Sequence, residues 1–459
     1  MREKIVLIGA GSAVFTKGMV ADIINRNWDC KLALVDINDE ALKVAEGLTK
    51  KMIEAQKASV DLTVSADRRD VLKDATAVIC TIGVGGRRAW EQDVFVPRKY
   101  GIYQPVGDSV MPGGTSRALR MIPAMVDIAK DVLDLCPDAL FFNYGNPMAP
   151  VCRAVRKATD AKMVGLCHGI FHVSKYLADI LKVQLEDMDY TAIGMNHLTW
   201  FTDVTIKGKS AMSRLAEIAD QQLLKIKNLA NIGAKYVEDG SAKEQEPDED
   251  ISPFSWELYK LFGAFPAALD RHVTEFFPQF FADGNYYGKK LGINAYSFEN
   301  CIAYGDKRFD EMKEIALSSD PLPEDWFDYL SGEHEQVIEI IESIRTSTGK
   351  SYYANLPNTG QVPNLPEGVI LESPATATKE GLVPMQQKSL DEAIAGTLVA
   401  KFRWVDTVVE AALEGSRDKF VLALVLDGSV DSIETAEKLA DELLEVQKDY
   451  LPQFNQKNN

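Results

Sequence analysis

Basic residues are scarce in this chain: 50 Lys and Arg stand against 68 Asp and Glu in 459 residues, a net charge of −18. Nucleic-acid binding needs clustered Lys and Arg to replace phosphate counterions, so nucleic acid is not the expected partner. No apolar run reaches the ~18 residues of a membrane-spanning helix. A secretory leader is not expected either, because Lys4-Ile5-Val6-Leu7-Ile8 runs straight into a glycine turn with no cleavage site. Cysteines are few and scattered (30, 80, 136, 152, 167 and 301), which argues against a disulfide framework. Histidine is rarer still, with five in all. The composition, 46% hydrophobic and 26% charged, reads as a cytoplasmic globular protein too long for one compact core.

What is present is a nucleotide-binding layout. The apolar run Ile5–Ile8 predicts a strand, Gly9-Ala10-Gly11-Ser12 a tight turn, and the spacing from Val14 to Asn25 a helix. A second strand, Leu32–Val35, ends in Asp36. In such a unit the glycines let a dinucleotide pyrophosphate approach the backbone at the helix N-terminus, and the acid accepts hydrogen bonds from the ribose. Gly9, Gly11, Ser12 and Asp36 are therefore the expected cofactor residues, and the acid favours NAD+ over NADP+. Val14 stands where the motif has its third glycine. Helix 38–57, strand 61–65, short helix 69–72 and strand 77–81 continue the alternation. This predicts an α/β fold with a Rossmann-type, doubly wound parallel sheet. Gly83, in the loop leaving the last of these strands, is a further expected cofactor contact.

The segment Glu91–Arg120 packs prolines and glycines between two helical patterns and reads as a functional loop carrying Asp108, ahead of a long helix over Thr115–Leu135. Strand 139–143 runs into Asn146-Pro147, a turn that presents an amide to a cleft. Strand Met163–Leu166 stops at Cys167-His168-Gly169, and strand Tyr190–Gly194 at Asn196-His197. Thiolate and imidazole are ligands for a divalent transition metal, and ligands collect at the carboxyl ends of strands in α/β sheets. With the two strands as neighbours, Cys167 and His197 can serve one ion. Downstream, helices are expected at Leu215–Val237, Ser255–Phe262, His334–Thr346, Gln387–Glu414 and Ser432–Gln447, with an acidic solvated segment over Glu238–Asp250. Strands Ser351–Leu356 and Glu367–Thr378 read as a small antiparallel sheet. The expected division is an NAD-binding domain over 1–194 and a mixed α+β catalytic domain over 195–459, with the cleft between them.

Many of these pieces resemble, in order, those of the family 4 glycoside hydrolases, an NAD- and metal-dependent group. They are Gly9–Ser12, Tyr100–Gln104, Gly107-Asp108-Ser109, Pro112-Gly113-Gly114, Asn146-Pro147-Met148, Gly165–His168, Asn196-His197, Gly263–Pro266, Asp270-Arg271-His272, Glu275-Phe276 and Asn355–Gln361. Gly101–Gln104, Asp270–His272 and Asn355–Gln361 are similar to the α-galacturonidase branch. That branch has a glutamate after its Cys-His pair, however, and Cys167-His168-Gly169 resembles the α-glucosidase and α-glucuronidase branch instead.

The resemblance implies a lactate/malate dehydrogenase-like nucleotide fold and an exo-acting α-glycosidase that does not use two flanking carboxylates for direct hydrolysis. NAD+ takes hydride from sugar C3, the acidified C2 proton is removed, the C1 group departs, water adds and the hydride returns. It implies Mn2+, or another divalent ion, on Cys167 and His197, with open positions for the sugar oxygens. Asn146 is implied at the cofactor and at substrate hydroxyls, and His168 as an acid for the leaving group or as an orienting group of the metal site. Asp270, with Asp108 second, is the implied C2 base, since no matching tyrosine motif is found. Arg271 and His272 are implied on the substrate, the guanidinium clamping a uronate carboxylate. An α-galacturonide or α-glucuronide is the expected substrate. A neutral α-glucoside or α-galactoside, or a 2-hydroxyacid dehydrogenase activity, is the alternative. The family implies a homodimer or homotetramer acting on a small glycoside, with no membrane or nucleic-acid partner.

Overall fold

The computed structural model describes residues 2–224, 252–280, 296–323, 326–327 and 336–454. Strands β1 (Glu3–Ile8), β2 (Cys30–Val35), β3 (Val60–Ser65), β4 (Ala77–Cys80), β5 (Leu140–Asn143) and β6 (Val164–Gly165) lie parallel in the order β3-β2-β1-β4-β5-β6. That is the doubly wound order, whose crevice between β1 and β4 takes a dinucleotide. The helices that follow these strands are α1 (Ala13–Asn25), α2 (Asp39–Gln56), α3 (Arg69–Leu72), α4 (Gly86–Arg98), α5 (Met111–Leu135), α6 (Met148–Ala158) and α7 (Gly169–Leu181).

Period-2 alternation explains why β1 is apolar from Ile5 to Ile8. Val6 and Ile8 of β1 belong to a core shared with α5 and α6, whereas Ile5 and Leu7 belong to a core shared with α1 and α2. Both faces of this central strand are covered, so its buried run carries no polar residue.

Beyond β6 the sheet continues through β7 (Met188–Met195), β8 (Leu198–Ile206), β9 (Lys209–Ser210), β10 (Phe265–Pro266), β11 (Ser351–Pro357), β12 (Ile370–Thr378) and β13 (Gly381–Pro384). The full path is β3-β2-β1-β4-β5-β6-β11-β12-β7-β8-β10, antiparallel from β6 onward, with β13 on β12 and β9 on β8. The strands expected as a separate small sheet are therefore the middle of the large one. The strands that precede Cys167 and His197 are not neighbours either, because β11 and β12 lie between them. Two one-pair joins connect the halves, Gly165↔Asn355 and Glu372↔Gly194.

Other expectations need correcting. Much of the segment read as a loop from Glu91 is helix α4, with Ala89, Asp93, Val94 and Val96 buried. Pro97 sits at its last turn and so ends the helix instead of breaking it. Helix α5 starts at Met111, with Pro112 in the first turn, where its missing N–H is harmless. Gly113 there serves close approach: a Cβ would lie 2.8 Å from both Gln104 Nε2 and Gly107 O.

The later helices are α8 (Pro253–Phe262), α9 (Asp270–Val273), α10 (Phe298–Leu317), α11 (Val337–Thr346), α12 (Glu392–Glu414), α13 (Arg417–Asp427) and α14 (Ile433–Val446). Of these, α9, α10 and α13 were not foreseen. Residues 212–224 are helical, and the remainder of the expected Leu215–Val237 helix, with the acidic segment after it, lies outside the described residues. Among the described residues no helix is long and apolar enough to cross a membrane.

Candidate functional site

The nucleotide turn leaves the end of β1. Gly9 has φ +90°, and a Cβ there would lie 2.8 Å from Ile82 N at the end of β4, so the turn can close only on glycine. Gly11 is as constrained: its Cβ would meet Asp36 Oδ2 at 2.7 Å. Gly11 instead gives its N–H to that oxygen (2.8 Å), and Asn38 N–H takes Asp36 Oδ1 (2.9 Å). Asp36 is thereby fixed beside the turn with a lone pair on each oxygen still available. Ser12 precedes α1 but makes no side-chain cap, and the first turn of α1 carries no acidic residue. The helix start is therefore unobstructed for an anion. Gly83 lies across the crevice, where an added Cβ would be 3.5 Å from an Arg117 terminal nitrogen.

Asn146, at the end of β5, donates its amide to Asp108 Oδ2 (2.8 Å) and joins Pro147 through a cis bond. Arg117 Nε donates to the Asn146 carbonyl (3.0 Å). Burial lowers the Arg117 pKa. Nothing in the sequence pattern singled out this arginine, which belongs to α5.

Asn196 and His197 form the two-residue turn between β7 and β8, with His197 in the left-handed region at φ +66°. A non-glycine residue there costs on the order of 1–3 kcal/mol and persists only where its surroundings hold it. His197 Nδ1 lies 2.9 Å from Ser109 Oγ, and that hydroxyl donates to Asp108 Oδ1 at 2.9 Å. A hydroxyl has one proton, so with Asp108 as its acceptor Ser109 must accept from Nδ1–H. His197 Nε2 is then left as a lone pair, and it faces Cys167 Sγ at 3.8 Å. Two ligands of one ion, at bonds of about 2.3 Å to sulfur and 2.0–2.1 Å to nitrogen, would stand roughly this far apart. His168 starts α7 and is exposed.

His272, on α9, packs its ring 4.2 Å from that of His197 at 41°. Ligand atoms of Asp108, His197 and His272 all lie within 4.8 Å of one another. Burial raises the Asp108 pKa, but His197, His272, Arg117 and the Asn146 amide outweigh it and hold the carboxyl below the usual range. Burial holds both imidazoles below theirs, His272 furthest, with His197 adding to the effect.

Asp270 is placed differently. Its buried carboxylate accepts from the N–H groups of Phe254 (2.9 Å) and Ser255 (2.7 Å) and from the Ser255 hydroxyl (2.7 Å), and so holds the start of α8. Glu275 accepts from Val106 and Gly107 N–H (2.8 and 2.7 Å) and fixes the loop ahead of Asp108. Burial, then Asp108, pushes its carboxyl up to about 8, against those two N–H groups. With both acids engaged, half-buried Arg271 has no carboxylate partner among the described residues.

Glu372 has no role in the sequence reading, although a lone acid inside the apolar run of β12 is a visible signal. It is 3% exposed and takes Asn196 Nδ2 (3.2 Å), Asn355 Nδ2 (3.2 Å) and Thr199 Oγ1 (2.7 Å). Burial raises its pKa, which those donors partly offset. Asn358, from the same sequence motif as Asn355, instead donates to the carbonyls of Val362, Leu365 and Pro366 and shapes its own loop.

The model of the family 4 glycosyl hydrolases matches residues 4–183, and that of their C-terminal domain residues 192–430. The chain is 30% identical to an alpha-glucosidase of Erwinia rhapontici, covering 98% of this chain and 99% of that one. It is 28% identical to an alpha-galacturonidase of Lachnoclostridium phytofermentans, covering 98% and 97%. A 6-phospho-alpha-glucosidase from gut microorganisms, solved in complex with NAD and Mn2+, superposes with a TM-score of 0.78 at 19% identity, covering 99% of this chain and 100% of that one. Both domain models fit in sequence order and the first relative is similar end to end, so the chain belongs to the family 4 glycosyl hydrolases.

Proposed function

We propose that this family 4 enzyme is an NAD+- and Mn2+-dependent, exo-acting α-glycosidase that prefers an α-linked uronide, galacturonide or glucuronide. The observation that carries the substrate class is Arg271. Asp270 is spent on the start of α8 and Glu275 on the 106–107 backbone, so the guanidinium beside His272 is left for a carboxylate from outside the chain. A planar fork of donors takes a carboxylate in two parallel hydrogen bonds, which a neutral sugar cannot reciprocate.

The residues suit the cofactors. Gly9 and Gly11 let the turn close against Ile82 and Asp36, the uncapped start of α1 is open to a pyrophosphate, and Asp36 stands where the ribose would lie. Gly83 and Asn146 would border the nicotinamide end. Cys167 and His197 would hold Mn2+. When bound, NAD+ supplies a hydride acceptor and the ion a Lewis acid for the sugar oxygens. The chain's own part is positioning and proton transfer. Exposed His168 would protonate the leaving oxygen. Asp108, ionised at neutral pH and inside the cluster, suits the C2 proton better than Asp270, whose carboxylate three donors already engage. Within this reading residues 1–194 hold the nucleotide and 195–459 complete the substrate side, in a cytoplasmic homodimer or homotetramer.

The test is a panel of p-nitrophenyl α-galacturonide, α-glucuronide, α-galactoside and α-glucoside with NAD+ and Mn2+. Cleavage confined to one or both uronides is expected, and Arg271→Lys should lower kcat/KM for them at least tenfold more than for any neutral glycoside. Preferred cleavage of a neutral sugar, with equal losses in the variant, would remove the clamp.

A further inference from the structure

The arginines near the end of β4 differ in their partners. Arg87 and Arg88 pair with Asp306, and Arg120 pairs with Asp93 in a bridge that is wholly buried. Arg117 has no such carboxylate. Its Nε donates to the Asn146 carbonyl (3.0 Å) and its guanidinium lies 5.9 Å from the centre of the Trp90 ring, but its terminal nitrogens make no hydrogen bond among the described residues. Asp108 and Asp93 act on it through space only. A guanidinium carries its N–H donors in a fixed fork, and here all but one are left over. Arg117 is half-buried, and a cation taken part-way out of water is costly without an anion against it, so its partner is expected from outside the chain.

Where the fork stands identifies that anion. A Cβ on Gly83 would lie 3.5 Å from an Arg117 terminal nitrogen, and a Cβ on Gly9 would lie 2.8 Å from Ile82 N. The fork's neighbour thus adjoins the residue on which the nucleotide turn closes. By itself the turn has little to offer a pyrophosphate. The N–H groups of Gly9 and Ala10 go to the Val35 carbonyl, that of Gly11 to Asp36 and that of Ser12 to the Gly9 carbonyl. None of the four residues carries a charge, and Asp36 would repel a dianion. The start of α1 supplies partial charge, and Arg117 can supply a full one.

We propose that Arg117 is a phosphate ligand of the dinucleotide, meeting the pyrophosphate from across the crevice while the Asn146 carbonyl holds it in place. The inference rests on the reading of Gly9–Ser12 as the nucleotide turn. It also divides the work of two arginines: Arg271 takes the anion of the sugar, and Arg117 that of the cofactor.

The experiment is calorimetric titration of the full-length protein with NAD+ and with ADP-ribose, which keeps the pyrophosphate and lacks the nicotinamide. Wild type, Arg117→Lys and Arg117→Gln are compared at low and high salt, with circular dichroism on each to establish that it folds. Both ligands are expected to bind about tenfold or more weakly in Arg117→Gln, less so in Arg117→Lys, and the Gln variant to lose part of the salt dependence. Weaker binding with the wild-type salt dependence would make Arg117 a prop for Asn146 and overturn the contact. Loss of NAD+ affinity with ADP-ribose unchanged would place the fork at the nicotinamide and overturn it too. So would affinities within twofold of wild type, and a KM that then rises for a uronide would give Arg117 to the sugar. If wild type binds neither ligand, the nucleotide reading itself has failed, a result that no change confined to the variants can produce. Two substitutions at 117 keep the test decisive should one of them not fold.

Discussion

Ser255 gives the Asp270 carboxylate both its backbone N–H and its hydroxyl, at 2.7 Å each, and thereby ties the start of α8 to the segment that carries Arg271 and His272. Asp270 thus acts on the site by fixing where its two neighbours stand.

Asp270→Asn tests that division of labour. The amide can accept at one atom only, so a buried backbone N–H loses its partner, at a cost of about 1–3 kcal/mol. A lower melting temperature with a rise mainly in KM is the expected outcome. A fall in kcat of a thousandfold or more with unchanged stability would make Asp270 the proton acceptor and displace Asp108.

The carboxyl of Glu275 should give the fold a distinctive pH dependence. Burial, with help from Asp108, raises its pKa from 4.5 to about 8 in the folded chain. Between those values the folded state keeps a proton that the unfolded state has released, so stability is greatest below the lower value and is lost as pH rises towards the upper one. At ~1.4 kcal/mol per pKa unit the full effect is on the order of 5 kcal/mol. Glu275→Gln keeps an acceptor for Val106 and Gly107 but has no proton to lose. Thermal melts from pH 5 to 8 should therefore fall more steeply for wild type than for the variant, and parallel curves would refute the assignment.

Gly11→Ala addresses the nucleotide turn. The new methyl would press on Asp36 Oδ2 at 2.7 Å, moving either the acid or the turn. NAD+ affinity by calorimetry should drop at least tenfold while the fold, read by circular dichroism, is retained. Unchanged affinity would take this turn out of the cofactor site.

The parallel half of the sheet was legible because most of its strands are short apolar runs closed by a glycine, an acid or a turn, and β3 alternates apolar with polar residues. The bounds of Arg69–Leu72 even coincide. The other half was less legible for identifiable reasons. In α10 only Phe298, Ile302 and Ala316 are buried, so it shows no apolar stripe. In α4 the glycines that start the helix and the proline that ends it look like loop residues. At the site, the strand-end rule brought Asn146, Cys167 and His197 to one place, and the Asp108 loop joins them. The supporting shell could not be read, because Ser109 meets His197 across 88 positions and Glu372 meets Asn196 across 176. The second encounter depends on β12 lying beside β7.

The insertion of β11 and β12 between β6 and β7 ties two distant strand ends to one buried carboxylate. Asn355, which also reaches the Gly165 carbonyl (3.4 Å), and Asn196 both end on one oxygen of Glu372, so a single buried atom gauges the gap between the Cys167 and His197 strand ends. The 270–272 segment takes its position from α8 instead. If Arg271 is the uronate clamp proposed above, it can therefore be exchanged without resetting the gauge.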